Sequence, residues 1–252
     1  MSDFRSKMLC HINDRDEWQV CSEMYDRHYR NTNKSDTKIP KILHQIWLGS
    51  PFPDKYKRLR DTWLTKHPDW EYKLWTLDHA KSFGMKNINS FNRTSNFGAK
   101  SDIFRYEVLH RYGGLYIDTD FECIKSFNEL LYLDFFTGVA RWEIPGFLNG
   151  LIGCIPGHPI LTEVINKLHN VSPGFHEIMD VTGPLFFTPF VYKHMKVYSD
   201  SKVVVFPTSF FYAFPGDNRE AVRVDNEVSR AEVYKHITGD SYCLHLWYTS
   251  WQ

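Results

Sequence analysis

The sequence predicts an α/β domain with a mainly parallel sheet flanked by helices, and three observations carry that prediction. Short apolar runs of strand length alternate with longer segments at helical spacing. One junction, AKSDIFRYEVLHRYGGLYIDTD (99–120), writes a helix, a glycine stop and a strand without a break. That strand ends on acidic residues, where α/β sheets bind ligands beyond the carboxyl ends of their strands.

Each element has its own justification. Residues 1–38 are polar, with Trp18, Val20, Cys21, Met24 and Tyr25 at loosely helical spacing, and are taken as an N-terminal extension to a main domain of residues 39–252. IPKILHQIWLG (39–49) runs apolar to a glycine and is the first buried strand. A helix follows from Pro53 to Pro68, with Tyr56, Leu59, Trp63 and Leu64 as its apolar stripe. WEYKLWTL alternates and is a second strand, and Asp78 is placed as the N-cap of the short helix that ends at Gly84. In the next helix Ile103, Tyr106 and Leu109 share one face, Gly113-Gly114 stops it, and Leu115-Tyr116-Ile117 is the strand beyond. DFFTGVA, GLIGCI and KVVVFP are further strands, HPILTEVINKL and GPLFFTPFVYKHM further helices, and FPGDNREAVRVDNE a polar loop.

Composition narrows the function. At 252 residues, 42% hydrophobic and 16% aromatic, the chain can bury a large core. Its formal net charge is zero, which argues against a general binder of nucleic acid or acidic membranes. No run approaches the about 20 apolar residues that span a bilayer, and the first residues lack the apolar region of a secretory signal. The five cysteines form no CxxC pair and are expected as reduced thiols. A cytoplasmic location is the expectation from these features.

Asp118 and Asp120 stand two apart, so a straight strand would put both side chains on one face, with Glu122 continuing the series. Like charges at close range repel, and more so when desolvated, so a cation is expected between them. Two oxygen ligands with open positions suit Mg²⁺ or Mn²⁺ shared with a diphosphate. Phosphatases of the haloacid dehalogenase type also place Asp-x-Asp after an apolar strand, but they call for Thr or Val where Glu122 stands.

The chain resembles the DXD-containing glycosyltransferases grouped with the yeast initiating α-1,6-mannosyltransferases and bacterial capsule-sugar transferases, and more distantly the glucosylating toxins of clostridia. Three blocks in order carry the resemblance: IPKILHQIWLG (39–49), AKSDIFRYEVLHRYGGLYIDTD (99–120) and YCLHLWYTSW (242–251), with NGLIGCIPGHP and TGP as weaker echoes. It implies a GT-A-type, Rossmann-like fold. It also implies that Trp47 stacks on the nucleotide base, that Ser101, Asp102 and Arg105 meet the donor sugar or phosphate, and that Tyr116 lies near the donor. Asp118 would reach ribose or metal-bound water, and Asp120 would ligate the metal directly. His245 is a candidate third metal ligand, although Leu246 stands where the family more often has a second histidine. Trp247, Ser250 and Trp251 are candidate donor contacts, the tryptophans through their indole N–H groups. Asn149 is a candidate for the reacting sugar, and His158 and Asp180 for the acceptor side.

The reaction this resemblance implies is a metal-dependent, retaining transfer from a UDP- or GDP-sugar to a glycan or other hydroxyl acceptor, with Mn²⁺ or Mg²⁺ as cofactor. The alternatives are a nucleotide-sugar-binding module without turnover and a nucleotide-sugar hydrolase.

Overall fold

The computed structural model of the chain describes residues 3–34, 36–139, 146–168, 178–216 and 227–248. Its centre is a six-stranded sheet in the order β2-β1-β3-β6-β5-β7. The strands are β1 (Ile42–Ile46), β2 (Glu71–Trp75), β3 (Gly114–Ile117), β5 (Phe135–Val139), β6 (Phe147–Cys154) and β7 (Val203–Phe206). β1 runs parallel to β2 and β3, and β5 parallel to β7, while β6 is antiparallel to both β3 and β5. The sheet is therefore mainly parallel with one reversed strand. Every residue of β3, β5, β6 and β7 is buried, as expected for strands covered on both faces.

Helices fill the connections. α3 (Asp54–Lys66) follows β1 with Pro53 at its N-cap and buries Tyr56, Leu59 and Trp63. α4 (Leu77–Ser82) is capped by Thr76, which shares a capping box with His79. Asp78 is thus not the cap but sits inside the first turn, because β2 already ends at Trp75 and the helix begins two residues earlier than the sequence suggests. α5 (Ile88–Arg93) leads to α6 (Phe97–Tyr112), whose cap is Asn96, accepting from the amides of Gly98 and Ala99. α7 (Pro159–Lys167), α8 (Ile178–Val181), α9 (Pro184–Val197), α10 (Thr208–Phe211) and α11 (Glu227–Tyr234) complete the chain after β6.

The segment before residue 39 packs into the same core. Short α1 (Asp3–Ser6) and α2 (Asp16–Tyr25) bury Phe4, Trp18, Cys21, Met24 and Tyr25, and α2 lies against β7 and α9. The Tyr25 ring meets the edges of Phe206 and Phe210 at 6.1 and 6.0 Å.

Two features aim the site. Gly113 and Gly114 take φ of 62° and 93°, a turn that side-chain-bearing residues resist, and a Cβ on Gly114 would come within 2.6 Å of the Ile42 carbonyl. Buried His44 locks that turn: its Nε2–H donates to the Gly113 carbonyl at 2.9 Å, and its Nδ1 accepts from the Trp75 indole at 3.1 Å. The second feature is a separate two-stranded ladder. β4 (Phe121–Cys123), just past the acidic pair, pairs antiparallel with β8 (Cys243–His245), Phe121 facing His245. This ladder brings the end of the chain to the mouth of β3.

Burial pushes the His44 imidazole down to about 4 and His158 down to about 3, and it also lowers His28, His67 and His194. These rings stay neutral in the fold and take up protons near 6.5 in the unfolded chain. Asp102 and Asp118, both raised by burial, pull the opposite way, but the histidines outnumber them. Stability is expected to be full above pH 6.5 and to fall as pH drops towards 4, each such histidine contributing up to about 1.4 kcal/mol per pH unit. Urea midpoints measured at pH 7.5, 6 and 5 check this, and a midpoint constant across that range contradicts it.

Candidate active site

β3 ends at Ile117, and Asp118-Thr119-Asp120 form a turn into β4, closed by the Phe121 amide reaching the Asp118 carbonyl at 3.4 Å. The acidic pair is therefore not on one face of a straight strand. The turn still converges the two carboxylates, because β4 must double back to meet β8. Ligand atoms of Asp118, Asp120 and His245 all lie within 4.8 Å of one another. His245 Nε2 is 3.1 Å from Asp120 Oδ2, and its ring stacks on Phe121 with centroids 4.3 Å apart. The amide of Tyr248 donates to Asp120 Oδ2 at 2.8 Å, and that of Leu246 to the Asp120 carbonyl at 3.0 Å. Asp120 thus organises the chain's last described residues. Glu122 is outside the cluster: within β4 it lies on the face opposite Phe121, the residue that stacks on His245, and it accepts from the Tyr234 hydroxyl.

Behind the pair lies a buried polar network built on α6. The Arg105 guanidinium sits 3.2 Å from Asp102 Oδ1 and 3.1 Å from Asp118 Oδ1, donates to the Asn149 carbonyl at 2.7 Å and lies over the Tyr116 ring. Asp102 also accepts from the Asn149 amide at 2.8 Å and the Thr182 hydroxyl at 2.9 Å. The Tyr116 hydroxyl donates to Asp118 Oδ1 at 2.7 Å. Burial raises the Asp102 carboxyl to about 6, against the lowering effect of Arg105 and the Thr182 and Asn149 hydrogen bonds. Burial also raises Asp118, where Arg105 acts to lower it and the Asp120 charge to raise it. Asp102 and Asp118 share one guanidinium and Asp120 adds a third carboxylate beside His245, so acidic groups predominate at the mouth of β3.

The structure brings some of the predicted residues together and leaves others apart. Asp102, Arg105, Tyr116, Asp118, Asp120, Asn149 and His245 converge, and Ser101 joins them through its backbone carbonyl, which accepts from Arg105 Nε at 3.3 Å. Trp47 stands half-buried just beyond β1, its indole N–H on Ser50 and its ring packed with Phe52 and Tyr56 at 5.6 and 4.8 Å. Trp247 is close, its ring 4.1 Å from His245, but its indole N–H donates to the Phe214 carbonyl at 2.9 Å. That corrects the expectation of an indole N–H aimed at the donor; a φ of 55°, costly for a bulky residue, turns the ring inward. Ser250 and Trp251 lie outside the described residues. His158 caps α7 through Nδ1 and is buried, and Asp180 is exposed on α8. Sequence reading missed Tyr106, whose hydroxyl accepts from Asn149 at 2.8 Å and donates to the Thr182 carbonyl at 2.8 Å. Its position one turn after Asp102 was the available signal.

Residues 53–136 match the family described as a glycosyltransferase sugar-binding region containing a DXD motif, and Asp118-Thr119-Asp120 is that motif. Over that stretch the chain is similar to the DXD glycosyltransferases. It is 30% identical over 189 residues to inositol phosphoceramide mannosyltransferase 3 of Schizosaccharomyces pombe, covering 72% of this chain and 52% of that one. It is 30% identical over 171 residues to the mannosyl phosphorylinositol ceramide synthase CSH1 of Saccharomyces cerevisiae, covering 65% of this chain and 45% of that one. The initiation-specific α-1,6-mannosyltransferase of S. pombe is 26% identical over 187 residues, with 60% of this chain and 47% of that one covered. The chain spans about half the length of the curated relatives it matches. Among solved structures, the PaToxG glycosyltransferase superposes with a TM-score of 0.52 at 20% identity, covering 72% of this chain and 77% of that one, which supports the GT-A fold.

The donor set of Asp118, Asp120 and His245 fits a divalent cation. Two carboxylates and an imidazole suit Mn²⁺, and somewhat less Mg²⁺. His245 Nδ1 is buried without a partner, so the ring's polar engagement runs through Nε2, which faces Asp120.

Gly150 on β6 explains the placement of Asp118. Its carbonyl accepts from the Asp118 amide at 2.8 Å, and a Cβ there would lie 2.6 Å from Asp118 Oδ2. Its φ is not positive, so the glycine is required by the carboxylate and not by the backbone. Gly150→Ala is expected to fold, since only a carboxylate must swing aside, and to weaken Mn²⁺ binding roughly 10- to 100-fold. Calorimetric titration with Mn²⁺ beside a thermal melt measures both, and unchanged affinity would overturn this account.

Proposed function

We propose that the protein transfers a sugar from a UDP- or GDP-sugar to a glycan or other hydroxyl acceptor with retention of configuration, using Mn²⁺ or Mg²⁺ held by Asp118, Asp120 and His245. The observation that carries this reading is the convergence of those ligand atoms within 4.8 Å, although His245 lies over a hundred residues downstream. The relatives' names favour a mannosyl group as the one moved.

The protein's own residues divide the work. Trp47 offers a half-exposed ring beyond β1 on which a base can stack. Arg105, held in place by Asp102 and the Asn149 carbonyl, presents fixed positive charge beside Asp118. The network of Asp102, Asn149, Tyr106 and Thr182 is saturated with internal hydrogen bonds, which keeps Arg105 from reorganising as charge develops. A bound divalent cation supplies neutralisation of the charge on the departing diphosphate. Retention rests on the family resemblance, with the leaving phosphate taking the acceptor's proton.

The deciding experiment is a panel of nucleotide-sugars, with Mn²⁺ and with chelator, scored for nucleoside diphosphate release. Release is expected with one donor class only, and to cease with chelator. Asp120→Asn should abolish metal-dependent release while the protein stays folded; full turnover in that variant rejects the metal assignment. Trp47→Ala should raise the donor KM by roughly 5- to 150-fold, the equivalent of about 1–3 kcal/mol of stacking. An insoluble product would mark Trp47 as core instead.

A further inference from the structure

Tyr212 stands at the end of α10, beneath the site, and no role has been assigned to it so far. It is 1% exposed, and its hydroxyl is buried without a hydrogen-bond partner. That is unusual, because a buried phenol normally finds one. The surroundings make the omission more pointed. Tyr212 follows Phe210 and Phe211 and precedes Phe214 in an aromatic run, so packing alone would be served by another phenylalanine. Its ring sits edge-on to Phe121 at 5.5 Å and edge-on to His245 at 5.5 Å, and tilted against Trp247 at 5.9 Å. Phe121 is the floor of the centre: it stacks under His245 and reaches the space beside Gly150 that the Asp118 carboxylate occupies.

Two glycines on paired strands make this arrangement possible. A Cβ on Gly138 of β5 would meet the Phe211 and Tyr212 rings, both at 2.9 Å, as one on Gly150 of β6 would meet Asp118 Oδ2. Neither glycine has a positive φ, so both are there for clearance. The sheet has given up side chains at two positions to seat a phenol and a carboxylate at the same centre.

We propose that Tyr212 is a positioning residue of the metal centre, its hydroxyl donating a hydrogen bond to the Asp118 carboxylate in the cation-loaded state. The inference rests on the proposed function above. In the structure described, Asp118 Oδ1 is taken by Arg105 and Tyr116, and a cation drawing the carboxylate towards Asp120 and His245 would bring a new acceptor to a donor that has none. Burial first, and then the Asp118 and Asp120 charges among its neighbours, hold the phenol well above its ordinary pKa, so it remains a donor.

Tyr212→Phe removes the oxygen alone. Titrating the full chain with Mn²⁺ by calorimetry, without nucleotide, should show affinity weakened about tenfold. The melting temperature should be unchanged or higher, because an unpaired buried hydroxyl has been removed. Tyr212→Leu, which also removes the ring, should lower both. Wild-type Mn²⁺ affinity in Tyr212→Phe overturns the proposal, as does a loss of affinity accompanied by a lowered melting temperature, which marks a packing role. Asp120→Asn is the control: if it binds Mn²⁺ as wild type does, the metal assignment itself falls and Tyr212 with it. If only Tyr212→Phe matches wild type, the metal centre stands without Tyr212.

Discussion

The Arg105 guanidinium holds the centre together. It lies buried between Asp102 on its own helix, the Asp118 carboxylate beyond β3 and the Asn149 carbonyl on β6. A charge so placed is tolerable only when fully paired, and removing one partner of such a pair typically costs about 3–5 kcal/mol. The consequence is directional. Helix α6, strand β3 and strand β6 cannot shift against one another without stranding a charge, so the acidic turn is held in one position relative to the sheet.

The same interaction leaves the turn short of positive charge. Two of the three carboxylates are answered by one guanidinium, burial strengthens the repulsion that remains, and hydrogen bonds offset part of it. Tyr116, the Tyr248 amide and His245 Nε2 each take a carboxylate oxygen. Such a centre, with two carboxylates and an imidazole close together, has the chemistry to hold a divalent cation.

The ladder of β4 and β8 brings His245 to the acidic pair. It is short, and an isolated two-stranded pair would be marginal. Here it is stabilised by the aromatic pile of Phe121, His245, Tyr212 and Trp247, and by hydrogen bonds from Leu246 and Tyr248 to Asp120. Asp120 therefore both belongs to the acidic cluster and holds Leu246 and Tyr248 in place.

The sequence by itself determined the elements and the acidic motif. Alternating apolar runs and caps are local, so β1, β2, β3, α3, α6 and α9 could be placed from spacing, and the DXD signature lies within one stretch. Local pattern misled where neighbouring elements set the boundary: Thr76 displaced Asp78 as a cap, and a turn replaced the straight strand expected at Asp118. Only the tertiary structure decided which side chains converge. Spacing gave no warning that Glu122 would turn away, that the Trp247 indole N–H would be spent on Phe214, or that Gly150 and Gly138 would clear room for Asp118 and Tyr212. Those outcomes depend on contacts between segments far apart in the chain. Their geometry is set by packing and by the need to pair every buried charge, and neither is written in any single stretch of residues.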